Sequence, residues 1–260
     1  MNKRDKQSRQ FFGRTGGKRL LCKKIIEFFP RNYENMIYVE AFVGAGAVFW
    51  RKEKNIVDVI NDLDKDIYHL FYDMKYHGDK VPSMNKLIDD EYITRDNFFN
   101  HLKNDNLIGE ERLLRNLFLS KYSFGGSRKT WKGKAEKKGC KNLIKDCLKI
   151  KKSLDNTIIL NEDYKTVIKK YDSVNTLFYF DPPYYQTRND CYIHSNIDPL
   201  ELFNILKDID GKFVLSYNNH IYIRNTFQND FNIHEVKTLY SRNNKSKNKK
   251  KIELIITNFD

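Results

Sequence analysis

An apolar run of five residues, Thr176 to Phe180, ends at once in Asp181-Pro182-Pro183-Tyr184. A short apolar run of this kind predicts a strand buried on both faces, as in a parallel sheet. Proline fixes φ and has no backbone N–H, so the chain must leave the sheet there in a rigid conformation. Ligands of open α/β sheets bind just beyond the carboxyl ends of strands. The segment therefore predicts a ligand site at Asp181; the alternative is a Pro-Pro turn in which Asp181 is only a polar cap.

Strand and helix patterns alternate along most of the chain. We predict strands over residues 36–42, 55–61, 157–160, 177–181 and 213–217, and helices over 20–29, 63–75, 164–171 and 199–209. Two more strands, 232–239 and 252–259, flank a Lys/Asn-rich loop, which is typical of an antiparallel pair at a sheet edge. Residues 84–120 have helical apolar spacing without strand runs, and residues 122–138 read as a loop or hairpin. This order predicts an α/β fold with a doubly wound, mostly parallel sheet.

The predicted domain division follows from the change of pattern. Residues 1–76 and 153–260 would form the α/β domain, and residues 77–152 an inserted helical lobe. A chain of 260 residues is long enough for one substantial core and such an insertion.

Basic residues are concentrated in three segments. The formal net charge is +13, and residues 1–24, 121–152 and 237–251 hold nine, twelve and seven Lys or Arg. Such a surplus predicts attraction to a polyanion, and three patches on one face would bind a phosphate backbone. Each patch could equally be a solvated surface in a chain of biased composition.

The four cysteines, Cys22, Cys140, Cys147 and Cys191, form no C-x-x-C pair and have no partner at zinc-ligand spacing. They predict free thiols in a reducing compartment and no metal site. The N-terminal segment has no apolar h-region, and no apolar run reaches the length of a membrane span. We therefore expect a soluble, intracellular protein that does not contact a membrane, and a monomer.

Three predicted strand ends outline a nucleotide site. The first carries Gly44 and Gly46, whose lack of a side chain lets the backbone approach a ligand before the predicted short helix. Asp62 ends the next strand, near the spacing at which an acid reaches ribose hydroxyls. Asp163 could accept from an adenine amino group, and Glu40 from the cationic part of an amino acid. Taken singly, Asp62 and Asp163 are better explained as helix N-caps.

Together these motifs resemble those of the Dam-type DNA adenine-N6 methyltransferases. The similarity includes Gly16-Gly17-Lys18, the segment Val39 to Gly46, Asp62 and Asp181-Pro182-Pro183-Tyr184, in the order of the family, and runs from about residue 12 to Asn258. The resemblance implies a Rossmann-like methyltransferase fold, S-adenosylmethionine as methyl donor, no metal, and double-stranded DNA as substrate. It also implies that Asp181, Pro182 and Tyr184 hold the target adenine. The implied cofactor-binding residues are Gly17, Lys18, Glu40, Phe42, Gly44, Gly46, Asp62 and Asp163.

The inserted lobe resembles the family less closely. The segment Leu119 to Gly126 is similar to the start of the DNA-reading hairpin, with an aromatic side chain that can enter the duplex, but Gly125 stands where the family commonly has Asn. Beyond Arg128 the similarity fades. The DNA sequence that members of the family recognise therefore cannot be carried over to this chain. The implied DNA contacts are Lys121, Tyr122, Phe124, Arg128 and Lys129. For Tyr122 and Phe124, packing within the helical lobe is an equal alternative.

Two other functions fit parts of this pattern. Tetrapeptides similar to Asp-Pro-Pro-Tyr also serve methylation of cytosine N4 in DNA and of exocyclic amines in RNA. A catalytically silent nucleic-acid-binding protein would keep the basic patches but has no need of Gly44, Gly46, Asp62 and Asp181. The expected function is therefore methyl transfer to N6 of an adenine flipped out of duplex DNA, as in the methylation of a restriction–modification system.

Overall fold

The computed structural model describes residues 10–14, 16–133, 137–186, 197–239 and 250–260. The chain divides into two compact units. The first unit comprises residues 1–17, 44–46 and 65–159, and the second comprises residues 18–43, 47–64 and 160–260. Cys191 and nearly all of the basic loop between the last two strands lie outside the described residues. The predicted boundaries at residues 76 and 153 stay a prediction.

A mixed sheet of seven strands forms the frame of the described part of the chain. Its strands are β1 (Ile37–Glu40), β2 (Val57–Asn61), β3 (Thr157–Leu160), β4 (Thr176–Phe180), β5 (Lys212–Asn218), β6 (Asn232–Leu239) and β7 (Lys250–Thr257). The spatial order is β3-β2-β1-β4-β5-β7-β6. β1 is parallel to β2 and β4, and β4 is parallel to β5. β7 runs antiparallel between β5 and β6, which confirms the predicted fold class with its antiparallel C-terminal edge.

The strand order reverses between β1 and β4. From β1 the chain proceeds outward to β2 and β3, and from β4 it proceeds to the other side through β5. The carboxyl ends of β1 and β4 therefore flank a topological switch point, which is where open α/β sheets bind their ligands. Glu40 ends β1 there, and Asp181 directly follows β4.

The helices, in chain order, are α1 (Cys22–Ile26), α2 (Lys65–His77), α3 (Val81–Met84), α4 (Arg95–Lys103), α5 (Gly109–Tyr122), α6 (Lys137–Leu154), α7 (Tyr164–Tyr171), α8 (Pro199–Lys207) and α9 (Ile221–Phe227). Side-chain hydrogen bonds cap the N-termini of several helices. The Asp163 and Asp198 carboxylates accept from backbone N–H groups at the beginning of α7 and α8, and Pro199 stands in the first turn of α8.

The two faces of the sheet in the second unit differ in polarity. One face is apolar: Val39, Phe178 and Leu215 pack with side chains of α7, α8 and α9 in one buried cluster. Because side chains alternate along a strand, the intervening residues point to the opposite face. That face carries buried polar groups, namely Tyr38, Glu40, Asp58, Tyr179, Ser216 and Glu253. A polar group in such a place must be hydrogen-bonded, so this face needs specific partners.

The first unit holds α2 to α6. The buried Asp73 of α2 accepts two hydrogen bonds from the Arg112 guanidinium of α5, at 2.7 and 2.8 Å. After α5, in the segment predicted as a loop or hairpin, Ser123 and Trp131 pair antiparallel.

Two local predictions were wrong. No helix was predicted for α9, whose start is capped by the His220 ring accepting from the Tyr222 backbone. Conversely, the glycine loop at Gly44 is followed by turns and not by a regular helix. The N–H groups of Arg51 and Lys52 both donate to the Val48 carbonyl, so one turn forms and does not propagate.

Candidate active site

Asp181 lies at the switch point with its carboxylate partly open to solvent. Its side chain is 19% exposed, and its Oδ1 accepts from the Lys18 ammonium at 2.5 Å. Burial raises the pKa of Asp181 to about 6; Lys18 opposes this rise and the carboxylate of Glu253 adds to it. Among the described residues, only Lys18 hydrogen-bonds this carboxylate. The geometry thus offers an acceptor held on one oxygen by a buried cation.

Tyr184 presents an aromatic ring beside this carboxylate. The Lys18 ammonium lies 4.4 Å from the centroid of the Tyr184 ring. The ring also stacks on Tyr217, with centroids 5.9 Å apart and an interplanar angle of 24°. The Tyr184 hydroxyl donates to the Glu253 carboxylate. The four residues Lys18, Asp181, Tyr184 and Glu253 therefore form one cluster, which we call the carboxylate–tyrosine cluster.

The chain just after this cluster is held by the last residue of β5. The Asn218 amide oxygen accepts from the Tyr185 backbone N–H, and the Asn218 amide nitrogen donates to the Tyr185 carbonyl, each at 3.1 Å. The Tyr185 ring stacks on Tyr222 of α9 at 4.9 Å. Pro182 and Pro183 are buried. Tyr184 and Tyr185 are consequently held through contacts of both backbone and side chains.

Glu40 occupies the end of β1 and is buried. Its carboxylate accepts from the Tyr38 hydroxyl at 2.6 Å. Burial raises the pKa of Glu40 to about 8; the Tyr38 hydrogen bond lowers it, and the nearby charge of Asp181 raises it further. A carboxyl group in this state gains most from a cationic ligand, because a positive charge offsets the cost of burying the ionised form.

A buried ion pair lies against the ring of Tyr38. The Lys52 ammonium bonds Asp58 of β2 and Asn55, and lies 4.0 Å from the centre of the Tyr38 ring. Neither side chain of the Lys52–Asp58 pair is more than 1% exposed. The pair therefore anchors the residue that hydrogen-bonds Glu40.

Asn61 connects the carboxyl ends of three strands. Its amide nitrogen donates to the Ala41 carbonyl at 3.0 Å and to the Glu162 carbonyl at 2.9 Å, and its amide oxygen accepts from the Glu162 N–H at 2.9 Å. The next residue, Asp62, accepts from the Asp64 N–H at 3.0 Å. Asn61 thus holds together the strand ends that were predicted to form a nucleotide site.

The other cofactor candidates occupy different surroundings. Phe42 is half-buried, with its ring 5.4 Å from Tyr164. Asp163 is exposed and accepts from the Lys165 N–H at 2.9 Å, so it caps α7 as the alternative reading had it. Gly17, Gly44 and Gly46 belong to the first unit. Gly44 and Gly46 have φ of 50° and 69°, values that side-chain-bearing residues rarely adopt.

The candidate DNA-binding residues differ in their exposure to solvent. Phe124, which directly follows the paired Ser123, is 64% exposed, and Lys129 is exposed as well. Tyr122 is fully buried, and its hydroxyl donates to the Leu87 carbonyl, so it takes the packing role. Arg128 is buried with φ of 60° and pairs with Asp66 at 3.6 Å, and Lys121 is half-buried. An aromatic wedge at this hairpin would therefore be Phe124.

α6 carries a row of lysines on its exposed side. Its buried side is apolar, with Leu143, Cys147 and Ile150. Because residues three and four apart share a helix face, the exposed lysines form one line along α6. We call this set the α6 lysine stripe; its members are Lys138, Lys141, Lys145, Lys149 and Lys152. Sequence reasoning had placed these residues only in a general basic segment.

Sequence reasoning missed Asn61, Asn218, Glu253 and the Lys52–Asp58 pair. One signal was present in the sequence: Asp58 and Glu253 are single charged residues inside apolar strand patterns. A charge in such a place is rare unless it is paired. The partners themselves are distant in the chain and could not be read from it.

Among the described residues, Cys22, Cys140 and Cys147 are free thiols and are buried. In the described part of the chain, no His, Cys, Asp and Glu side chains cluster in threes as a metal site requires. None of the helices described is both long and apolar enough to span a bilayer.

The chain is similar to known proteins both at the level of a family and at the level of an individual relative. A family model described as D12 class N6 adenine-specific DNA methyltransferase matches residues 15–242. The chain is also similar to the Type II methyltransferase M1.LlaDCHI of Lactococcus lactis subsp. cremoris, with 25% identity over 280 residues, covering 96% of this chain and 95% of the relative. The matched family segment includes both Gly44 and the Asp181-Pro182-Pro183-Tyr184 loop, and it ends before β7.

Proposed function

The chain belongs to the D12 class of N6 adenine-specific DNA methyltransferases, and we propose how its own residues carry out adenine methylation. Asp181, Pro182 and Tyr184 hold the target adenine after it leaves the duplex. The observation that carries this assignment is the partly exposed Asp181 carboxylate, placed beside the Tyr184 ring at the switch point of the sheet.

Asp181 and the Pro182 carbonyl accept the two hydrogens of the adenine amino group. Adenine N6 is a poor nucleophile because its lone pair is delocalised into the ring. Two acceptors orient the amino group so that its lone pair points away from them. Lys18 occupies Asp181 Oδ1, so Oδ2 is the oxygen that accepts from N6. A hydrogen bond to a charged acceptor contributes roughly 1.5–3 kcal/mol.

The same carboxylate stabilises the charge that develops during transfer. N6 becomes positive as it forms its new bond, so Asp181 binds the transition state more strongly than the neutral amino group. Asp181 is also the nearest acceptor for the proton that N6 then loses. Tyr184 stacks on the base, and such stacking contributes about 1–3 kcal/mol.

S-adenosylmethionine fits the residues at the ends of β1, β2 and β3, and it supplies an electrophilic methyl group on a sulfonium. Glu162 Oε2 is buried with no hydrogen-bond partner in the described part of the chain, which is what an acceptor awaiting a ligand hydroxyl would show. Glu40 binds the cationic amino acid part, and Asp62 the ribose. Phe42, Lys18 and Asp163 line the remainder of the cofactor site.

Double-stranded DNA is the proposed substrate, with Phe124 entering the duplex and the α6 lysine stripe on phosphates. Extrusion of the base costs a few kcal/mol, which the phosphate contacts and the inserted ring offset. We further propose a monomeric, intracellular enzyme that marks a specific sequence in a restriction–modification system; the relative from Lactococcus lactis is named a Type II methyltransferase.

The assignment is tested by incubating the protein with labelled S-adenosylmethionine and duplex DNA, then digesting the DNA to nucleosides. Label is expected in N6-methyladenine. Label in N4-methylcytosine, or transfer to RNA in preference to duplex DNA, would contradict the proposed base site.

The rate of methylation should fall as the pH drops through about 6. Asp181 must be ionised to accept from N6, and its pKa of about 6 places the acid limb there. Below that pH, kcat/KM for DNA is expected to decrease about tenfold per pH unit. Glu253 raises the pKa of Asp181, so Glu253→Gln should move the limb to lower pH. A limb that stays in place in Glu253→Gln would show that another group titrates.

Removing three lysines of the α6 lysine stripe should weaken DNA binding and make it less dependent on salt. Each lost phosphate contact lowers the slope of log K against log salt by about 0.9. The variant carries Lys141→Gln, Lys145→Gln and Lys149→Gln, and binding is measured by fluorescence anisotropy over a salt series. The matched control removes the same charge from the second unit with Lys169→Gln, Lys207→Gln and Lys212→Gln. Equal slopes in the two variants would exclude a specific role for α6.

A further inference from the structure

Glu253 is a buried carboxylate in the middle of an apolar strand. It is 2% exposed and has Ile252 and Leu254 as neighbours on β7. Burial of an ionised carboxylate is costly unless the group is hydrogen-bonded. Its donor in the described structure is the Tyr184 hydroxyl, 69 residues away in the chain.

Building on the function proposed above, we propose that Glu253 is a positioning residue, which fixes the Tyr184 ring for stacking on the target adenine. A tyrosine side chain has two free torsion angles, and the bond at its hydroxyl end restricts both. The ring is then held in its stacking orientation before the base arrives, so less ordering is needed during binding.

Strand β5, the neighbour of β7, holds Tyr185, the residue that follows Tyr184. Asn218 is the residue paired with Glu253 across β5 and β7. Its side chain binds both backbone groups of Tyr185. One cross-strand pair therefore holds two consecutive residues, Tyr184 by its side chain and Tyr185 by its backbone. This arrangement indicates that the β5–β7 pair preorganises Tyr184 and Tyr185.

The bond to Glu253 changes the expectation for Tyr184→Phe. Stacking alone would predict that phenylalanine largely preserves activity, because it keeps the aromatic ring. In this structure the substitution also leaves the buried Glu253 carboxylate without its donor. We therefore expect Tyr184→Phe to lower kcat by about tenfold, the size expected when a buried acceptor loses its partner.

A double-mutant cycle on kcat tests the inference. Glu253→Leu removes the acceptor and puts an apolar side chain of similar size in its place. It should also lower kcat by about tenfold. The double variant Tyr184→Phe/Glu253→Leu should be no slower than either single variant, because both changes break the same bond. A loss equal to the product of the two single effects would overturn the proposal.

Two further measurements separate positioning from general damage. Glu253→Gln keeps an oxygen that accepts from Tyr184, so it should restore most of kcat at a pH well above 6, and the KM for S-adenosylmethionine should stay unchanged throughout. A loss in Glu253→Gln as large as in Glu253→Leu would contradict the proposal. If the leucine variant does not fold, the kcat retained by Glu253→Gln, set against the loss in Tyr184→Phe, still tests the proposal. The control is Glu235→Gln on the adjacent β6, an exposed carboxylate paired with Arg224, which should leave kcat unchanged.

The outcome distinguishes this inference from the proposed function. If the wild-type protein does not methylate adenine in duplex DNA, the proposed function fails, and the coupling of Tyr184 and Glu253 is still measurable in the free energy of unfolding. If the wild-type protein is active and the two single effects on kcat multiply, only the positioning role is lost.

Discussion

Asp181→Asn is expected to lose methyl transfer almost completely while S-adenosylmethionine still binds. Asparagine has nearly the same shape as aspartate, but it carries no negative charge to stabilise the positive N6. Its amide nitrogen can also face the adenine amino group, which places two donors against each other. Loss of one preorganised partner of a developing charge lowers kcat by roughly 100- to 1000-fold. The measurement is single-turnover methylation of duplex DNA, with cofactor affinity from calorimetry.

Asp230→Asn is the matched control for this change. Asp230 pairs with Lys207 at 2.9 Å, as Asp181 pairs with Lys18, but on the surface of the second unit. The control should keep full activity. Asp181→Ala should be as inactive as Asp181→Asn, since both lack the charge. Turnover close to that of the wild type in either Asp181 variant would refute the catalytic assignment.

Asp58→Ala should have the largest effect on stability. It removes one partner of the buried Lys52–Asp58 ion pair, a change that costs about 3–5 kcal/mol. That loss is a large share of the stability of an ordinary domain, about 5–15 kcal/mol. The free energy of unfolding is measured by urea denaturation followed by circular dichroism. Because Lys52 also supports Tyr38, which bonds Glu40, binding of S-adenosylmethionine should weaken with it.

Two comparisons show whether burial is the cause. Glu201→Ala breaks the Lys165–Glu201 pair, in which both side chains are nearly half exposed, and it should change stability little. The double variant Lys52→Met/Asp58→Leu replaces the buried pair by apolar groups and should recover much of the lost stability. A loss in Glu201→Ala equal to that in Asp58→Ala would show that burial of the pair is not decisive.

Local patterns predicted the elements that depend on nearby residues. β3, α7 and β6 have the predicted bounds, residues 157–160, 164–171 and 232–239. Each has a clear apolar period and a boundary signal such as Asp163. α9 was missed because its seven residues give too short a pattern, and its cap is an unusual histidine.

The candidate site was only partly visible in the sequence. Asp181, Tyr184 and Glu40 were identified because short motifs follow strands, and strand order then places them at one end of the sheet. The sequence left Tyr122 open between packing and DNA contact, and its burial and its hydrogen bond to Leu87 became visible only in the tertiary structure. Lys18 was assigned to the cofactor, and its ion pair with Asp181 was not foreseen.

The sequence by itself determined the class of chemistry, since the carboxylate, the prolines and the aromatic ring are consecutive residues whose properties do not depend on the rest of the chain. It also determined the strand–helix order, because apolar periods are local. Only the tertiary structure decided which distant groups control that chemistry: Lys18, Glu253 and Asn218 reach the loop after β4 from other segments. Their contacts depend on strand register and burial, which arise when separate parts of the chain pack together.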